Sequence, residues 1–184
     1  QLDWEQAQQE AKQRDKIILG YFTSSIQDHE GPRMFERGVF ADPAIKSFGD
    51  SDVVLFCHVM SKVPGRDNDD MRRIARSRSL PAVVYFNSDG SWLYRQPITH
   101  PTKTTLADLK AHTEALKIER RHKRAAAGME GVTPPPPAEL LHAEMLLRRP
   151  NLKYPEAKKR HSELKEIPPE LAASMAARLL RMEL

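Results

Sequence analysis

Asp3 is followed by Trp4, Ala7 and Ala11 at helical spacing, which predicts an amphipathic helix to about Asp15 with the Asp3 side chain as its cap. Lys16-Ile-Ile-Leu-Gly-Tyr-Phe22 is apolar at successive positions, the pattern of a strand buried on both faces of a sheet. Thr23 to Gly31 is polar and predicts a loop. Pro32 suits a first helical turn and opens a helix carrying Met34, Phe35 and Val39 or Phe40. Asp42-Pro43 opens a second short helix to about Phe48. Val53 to Val59 is a second buried strand, followed by a loop at Pro64-Gly65 and a helix near Asp69–Arg76. Ala82 to Phe86 is a third strand, Asn87 to Gly90 a tight turn, and Ser91 to Arg95 a fourth strand. Thr105-x-x-Asp108 forms a capping box for a long helix with Leu106, Leu109 and Leu116 inward and Glu119 to Arg124 trailing off. Strands joined through helices and closed by a hairpin predict an α/β architecture with a mixed four-stranded sheet flanked by helices.

The pattern then changes. All eight glycines lie at or before Gly131, and eight of the fourteen prolines lie between Pro134 and Pro169. Gly128 to Pro137 cannot continue a helix, and its proline run favours a stiff extended spacer. The expected organisation is a globular domain over 1–125, a Pro/Gly-rich linker over 126–137 and a helical arm over 138–184. Ala138 to Arg149 can form a helix that clusters Leu140, Leu141, Met145 and Leu147 on one side. Beyond Pro169, Leu171, Met175, Leu179 and Met182 form an amphipathic stripe, flanked by Leu180 and Leu184. Helices this short are marginal alone in water, so they must dock. The proline spacer tends to hold the arm away from its own domain. Leu140, Leu141, Met145, Leu171, Met175, Leu179 and Met182 are therefore the expected contacts to a partner protein, with docking on the chain's own domain as the alternative.

Composition narrows the chemistry. The 184 residues carry one cysteine, Cys57, so neither an intramolecular disulfide nor a multi-cysteine zinc module can form. No apolar run approaches the roughly 18–20 residues that span a bilayer, and mean hydropathy is −0.60. The net charge of +4 divides as −1 over 1–116, +3 over 117–137 and +2 over 138–184. The basic run Lys117 to Arg124 raises nucleic acid or an anionic membrane as partners, but a solvated helix end is the plainer reading. The arm has no aromatic besides Tyr154 for base stacking, and nucleic acid is not expected. The chain starts at Gln1 without a leader, which leads to the expectation of a processed or trimmed form; the compartment is left open between secreted, periplasmic, organellar and others.

Three motifs carry a family resemblance. Phe22-Thr-Ser-Ser25 ends the first central strand, and Phe35-Glu-Arg-Gly-Val-Phe-Ala-Asp-Pro-Ala-Ile45 is similar to the M-E-x-x-x-F-x-D-P-x-V stretch of thioredoxin-like proteins of the long-insert type. Ser79-Leu-Pro-Ala-Val-Val-Tyr-Phe-Asn-Ser-Asp-Gly90 resembles the segment in which that family keeps a cis proline. Together they cover roughly residues 3–118 and resemble the thioredoxin fold; the UAS domains of UBX proteins share the pattern and also lack redox cysteines. The resemblance implies that the active-site loop falls on Ser24, Ser25, Gln27, Asp28 and His29. It also implies that Leu80, before Pro81, offers backbone hydrogen bonds to an extended peptide, although a proline kept only to shape the turn is the plainer alternative.

The departure from the family decides the expected function. Thioredoxin chemistry needs a low-pKa thiolate and a resolving cysteine, and the loop from Ser24 to Pro32 holds no sulfur. Cys57, mid-strand among apolar neighbours, reads as a buried inert thiol, with a partner-facing thiol as the alternative. Asp28, His29, Glu30 and His58 lack metal-ligand spacing, and no nucleophile elbow or phosphate loop is present. The expectation is a non-catalytic binding or scaffold subunit without cofactor or metal. An oxidoreductase accessory using Cys57 or a partner's thiols, and a peptide-holding chaperone at Pro81, are the alternatives.

Overall fold

The computed structural model describes residues 3–24, 30–60, 69–76, 79–98 and 103–183. Two compact units divide the chain, Gln1–Lys110 and Ala111–Leu184.

The first unit starts with α1 (Trp4–Gln13), whose N-terminus is closed by a reciprocal box: the Gln6 amide donates to Asp3 Oδ1 at 2.7 Å and the Asp3 amide to Gln6 Oε1 at 3.1 Å. β1 (Ile17–Ser24) is buried over nearly its whole length and occupies the middle of the sheet. α2 (Glu30–Phe35) runs into a π-turn (Glu36–Phe40), and α3 (Ala44–Ser51) follows with Asp42 Oδ1 accepting from the Ala44 amide at 2.8 Å. β2 (Val53–Met60), α4 (Asp69–Ala75), β3 (Ala82–Phe86) and β4 (Trp92–Gln96) complete the sheet in the order β2-β1-β3-β4. β1 and β2 are parallel, from Ile17 opposite Val53 to Ser24 opposite Met60. β3 is antiparallel to both β1 and β4. The mixed sheet expected from the chain pattern is the one observed.

Alternation along the central strands separates two layers. Ile18, Phe22, Val54, Phe56, Met60, Ala82, Val84 and Phe86 pack with Ala7 and Ala11 of α1, Ala75 of α4 and the half-buried Trp4 and Trp92. Gly20 lies within this layer because a Cβ there would meet the Phe22 and Phe86 rings at 2.9 and 3.0 Å. On the opposite face Tyr21 stacks on Phe35 with ring centroids 5.2 Å apart and meets Phe40 edge-on at 4.8 Å. Tyr85 on that face is fully buried and donates its hydroxyl to Gln96 Oε1 at 2.9 Å. The extra residue of the π-turn was not legible from spacing, because it answers to the packing of Phe35 and Phe40 against Tyr21.

The boundary between units falls inside α5 (Leu106–Ala126), earlier in the chain than the proline run. The expected capping box is present: Asp108 Oδ2 accepts from the Thr105 amide and hydroxyl, both at 2.8 Å. The far end of α5 belongs with α6 (Pro137–Leu146), α7 (Tyr154–Ser162) and α8 (Pro169–Glu183). Arg149 grips Glu119 with two parallel hydrogen bonds, and Arg121 Nη2 reaches Glu139 Oε2 at 3.0 Å. These pairs bring the chain back along α5 after the prolines; the reversal is made by the turns at 127–131, and the proline run is an extended connection within the unit.

Leu141, Met145, Leu152, Ala157 and Met175 form the core of α6, α7 and α8, with Leu164, Ile167, Leu171, Leu179 and Met182 packed against it. Both α5 and α6 close with paired carbonyl-to-amide bonds across a left-handed residue. After α5 that residue is Gly128 (φ 71°). After α6 it is Arg148 (φ 49°), an L residue in a conformation that glycine adopts freely.

Candidate functional site

The ladder between β1 and β3 pairs Phe22 with Ala82, so Leu80 and Pro81 lie beside the last residues of β1. The Leu80–Pro81 peptide bond is cis, Pro81 is buried and Leu80 is half-buried. Ser24 is half-buried at the end of β1, opposite Met60 of β2. The rest of the expected loop, Ser25, Gln27, Asp28 and His29, lies outside the described residues.

Behind this strand end sits a polar cluster that the sequence did not single out. Tyr21 donates its hydroxyl to Glu36 Oε1 at 3.1 Å, and the Thr23 hydroxyl donates to the same oxygen at 3.3 Å. Tyr21 and Thr23 are two residues apart on a strand and share a face, and the π-turn carries Glu36 over them. The signal was present as a Tyr-x-Thr pair, but its acceptor comes from a turn that the spacing did not reveal. Cys57 pairs with Tyr21 across the parallel ladder and is half-buried.

The electrostatics of this cluster keep both acidic hydrogens in place. Burial pushes the Cys57 thiol up from its ordinary range, and the nearby Glu36 carboxylate adds to the shift. The Tyr21 phenol is also raised, mainly by burial; Glu36 adds to this and the Thr23 hydroxyl opposes it. A thiol held neutral is a poor nucleophile. The arrangement therefore favours the neutral thiol beside a phenol and a carboxylate.

Cys57 and His58 point to opposite faces of β2, so they cannot share an ion. His58 clusters with the Phe22 and Phe56 rings, with centroids 6.2 and 6.4 Å away. Among the described residues no group of three or more His, Cys, Asp or Glu side chains converges as metal ligands, and no helix is long and apolar enough to cross a membrane.

The candidates of the C-terminal unit are brought together with one another. Leu141, Met145 and Met175 are buried in its core, Leu171, Leu179 and Met182 lean on it, and Leu140 is half-buried. The predicted stripe is real as a helical face, and the face is covered by α6 and α7. Leu180, which flanked the stripe, is 64% exposed.

No protein-family model and no curated protein matches this chain. Among solved structures it is similar to DsbH oxidoreductase, with TM-score 0.53 and 16% identity over 63% of this chain and 83% of that one. It is also similar to a thioredoxin from Thermus thermophilus, with TM-score 0.47 and 14% identity over 70% and 92% of the two chains. The sheet order and the DsbH likeness agree: the fold is thioredoxin-like.

Proposed function

We propose that this thioredoxin-like chain is a redox-inactive binding subunit of a larger protein assembly, acting through the surface of its 1–110 unit and through its helical C-terminal unit. The observation that carries the reading is the state of its one sulfur. Cys57 sits mid-strand, half-buried, with burial and Glu36 both favouring the neutral thiol. A strand-borne neutral thiol has neither the activation nor the resolving partner that dithiol exchange needs.

The reading is tested by labelling native Cys57 with an aromatic disulfide reagent at pH 7, alongside an insulin-reduction assay. Labelling is expected to be many-fold slower than in the urea-unfolded chain, and reduction no faster than with the Cys57→Ser variant. Rapid native labelling, with insulin reduction lost in that variant, would establish the second reading, an oxidoreductase accessory. The one observation favouring that second reading is the likeness to a structure named as an oxidoreductase. Association with a partner is better probed by surface substitutions than by removing residues 134–184, because a cut there divides the second unit.

A further inference from the structure

The C-terminal unit has an imbalance of charge in one place. A cavity of about 370 Å³ lies among the end of α6, the connection to α7 and the last turns of α8. Its floor includes Met145, Leu152 and Met182, and its walls carry Arg148, Arg149, Lys153, Arg178 and Arg181 against one acid, Glu144. That acid is already engaged, since Glu144 Oε2 accepts from Arg160 Nη1 at 2.5 Å. Arg149 is likewise engaged, by Glu119. No carboxylate of a described residue pairs with Arg148, Lys153 or Arg181. The field is felt nearby: His142, bonded to the Ser174 hydroxyl at 2.9 Å, has its pKa lowered by burial and by the Arg178 charge.

Two further features shape this cavity. Arg148 occupies the left-handed position that closes α6 (φ 49°), at a cost of order 1 kcal/mol relative to glycine. The same conformation closes α1 at Asp15 (φ 49°) and follows α4 at Arg76 (φ 48°), so it is a way this chain ends helices; after α6 its effect is to set a guanidinium at the cavity. A second hollow of about 650 Å³ shares Glu144, Leu152 and Lys153 with the first, and adds Lys159 and Arg160 along with Glu156. The two hollows adjoin at those shared residues and together make a groove.

Resting on the proposed role as a binding subunit, we propose that this groove binds an acidic segment of a partner protein, its carboxylates against Arg148, Lys153 and Arg181 and an apolar side chain on Met145, Leu152 and Met182. Charge complementarity selects acid over base. An apolar floor and the absence of any aromatic side chain in the first cavity favour peptide over nucleic acid, whose bases would need a stacking surface.

The test uses the full chain and fluorescence anisotropy. The probe is a fluorescein-labelled hexapeptide of four glutamates around a leucine and a phenylalanine. Its all-glutamine counterpart and a single-stranded oligonucleotide are the comparators. The acidic peptide is expected to bind, with affinity falling as salt rises, and the glutamine peptide not to bind. Arg148→Gly is expected to weaken binding about 3-fold, with thermal stability equal to or above the parent's, so loss of binding cannot be loss of fold. Adding Lys153→Gln and Arg181→Gln should bring the loss to about 10-fold or more. Equal binding of the two peptides, tighter binding of the oligonucleotide, no binding at all, or indifference to the triple substitution would each overturn the proposal. Insulin reduction measured on the same preparation separates the failures. Reductase activity defeats the redox-inactive reading, whereas its absence together with no peptide binding defeats the groove alone.

Discussion

Met175 and Leu180 stand on the same helix, five residues apart, in opposite environments. Met175 is 0% exposed among Leu141, Met145, Leu171 and Leu179, and Leu180 is 64% exposed. Met175→Ala removes three heavy atoms from a closed core. At about 0.8 kcal/mol per methylene-sized group the transfer loss is roughly 2 kcal/mol, and incomplete collapse of the cavity raises the total to about 2–4 kcal/mol. For a unit of this size that corresponds to a fall in Tm of roughly 10–30 °C. Leu180→Ala gives up little burial and gains slightly in helix propensity, so its cost stays below about 0.5 kcal/mol. Urea unfolding followed by far-UV circular dichroism reads both variants. Trp4 and Trp92, both within residues 1–110, report the first unit separately by fluorescence. If Met175→Ala stays within about 0.5 kcal/mol of the parent, or Leu180→Ala costs as much, then the helices do not bury their stripe in one another and the core described here does not exist in solution.

Acid should weaken the second unit. His142 is depressed by burial and by Arg178, so the folded chain takes up a proton less readily than the unfolded one. Its contribution is complete above the ordinary histidine range near pH 6.5 and is lost as pH falls through the lower folded value; the stability-versus-pH curve of His142→Gln should be flatter there. Alkali should weaken the first unit. The raised Cys57 thiol and Tyr21 phenol contribute fully below their ordinary values and lose that contribution as pH climbs through the raised ones, and Tyr21→Phe should reduce the slope. Glu119→Ala should cost about 2 kcal/mol, because it leaves the Arg149 guanidinium without its two-bond acceptor. A double-mutant cycle with Arg149→Ala should return a coupling of at least about 1 kcal/mol, and additivity of the two substitutions would contradict the geometry.

Legibility from sequence followed the physics of each element. β3 was read residue for residue because Ala82 to Phe86 is apolar throughout and ends at a turn whose Gly90 sits at φ 82°. The caps at Asp3 and Thr105 were equally plain, since a short polar side chain ahead of an apolar period has few other uses. The stripe from Leu171 to Met182 was correct as a face. What covers it was not legible, because covering depends on where the chain goes after Pro137, and Glu119–Arg149 and Arg121–Glu139 are long-range pairings that no local pattern announces. α7 was not legible as a defined helix, since its Pro155 looks like a breaker in the sequence but occupies the first turn, where proline is tolerated. The Tyr21–Glu36–Cys57 cluster needed the π-turn, and the candidate groove needed the return of α8 against α6.

The position of β1 has a consequence for how the chain is made. Its partners begin at Val53 and Ala82, well downstream of Ile17, so this almost wholly apolar strand leaves the ribosome long before either can cover it. Until β3 emerges, Ile17 to Phe22 presents bare backbone and greasy side chains to any neighbouring nascent chain. Refolding yield should therefore fall steeply with protein concentration, and a charge introduced within β1 would not relieve the problem, because the mature sheet has no solvent-facing side there on which to place it.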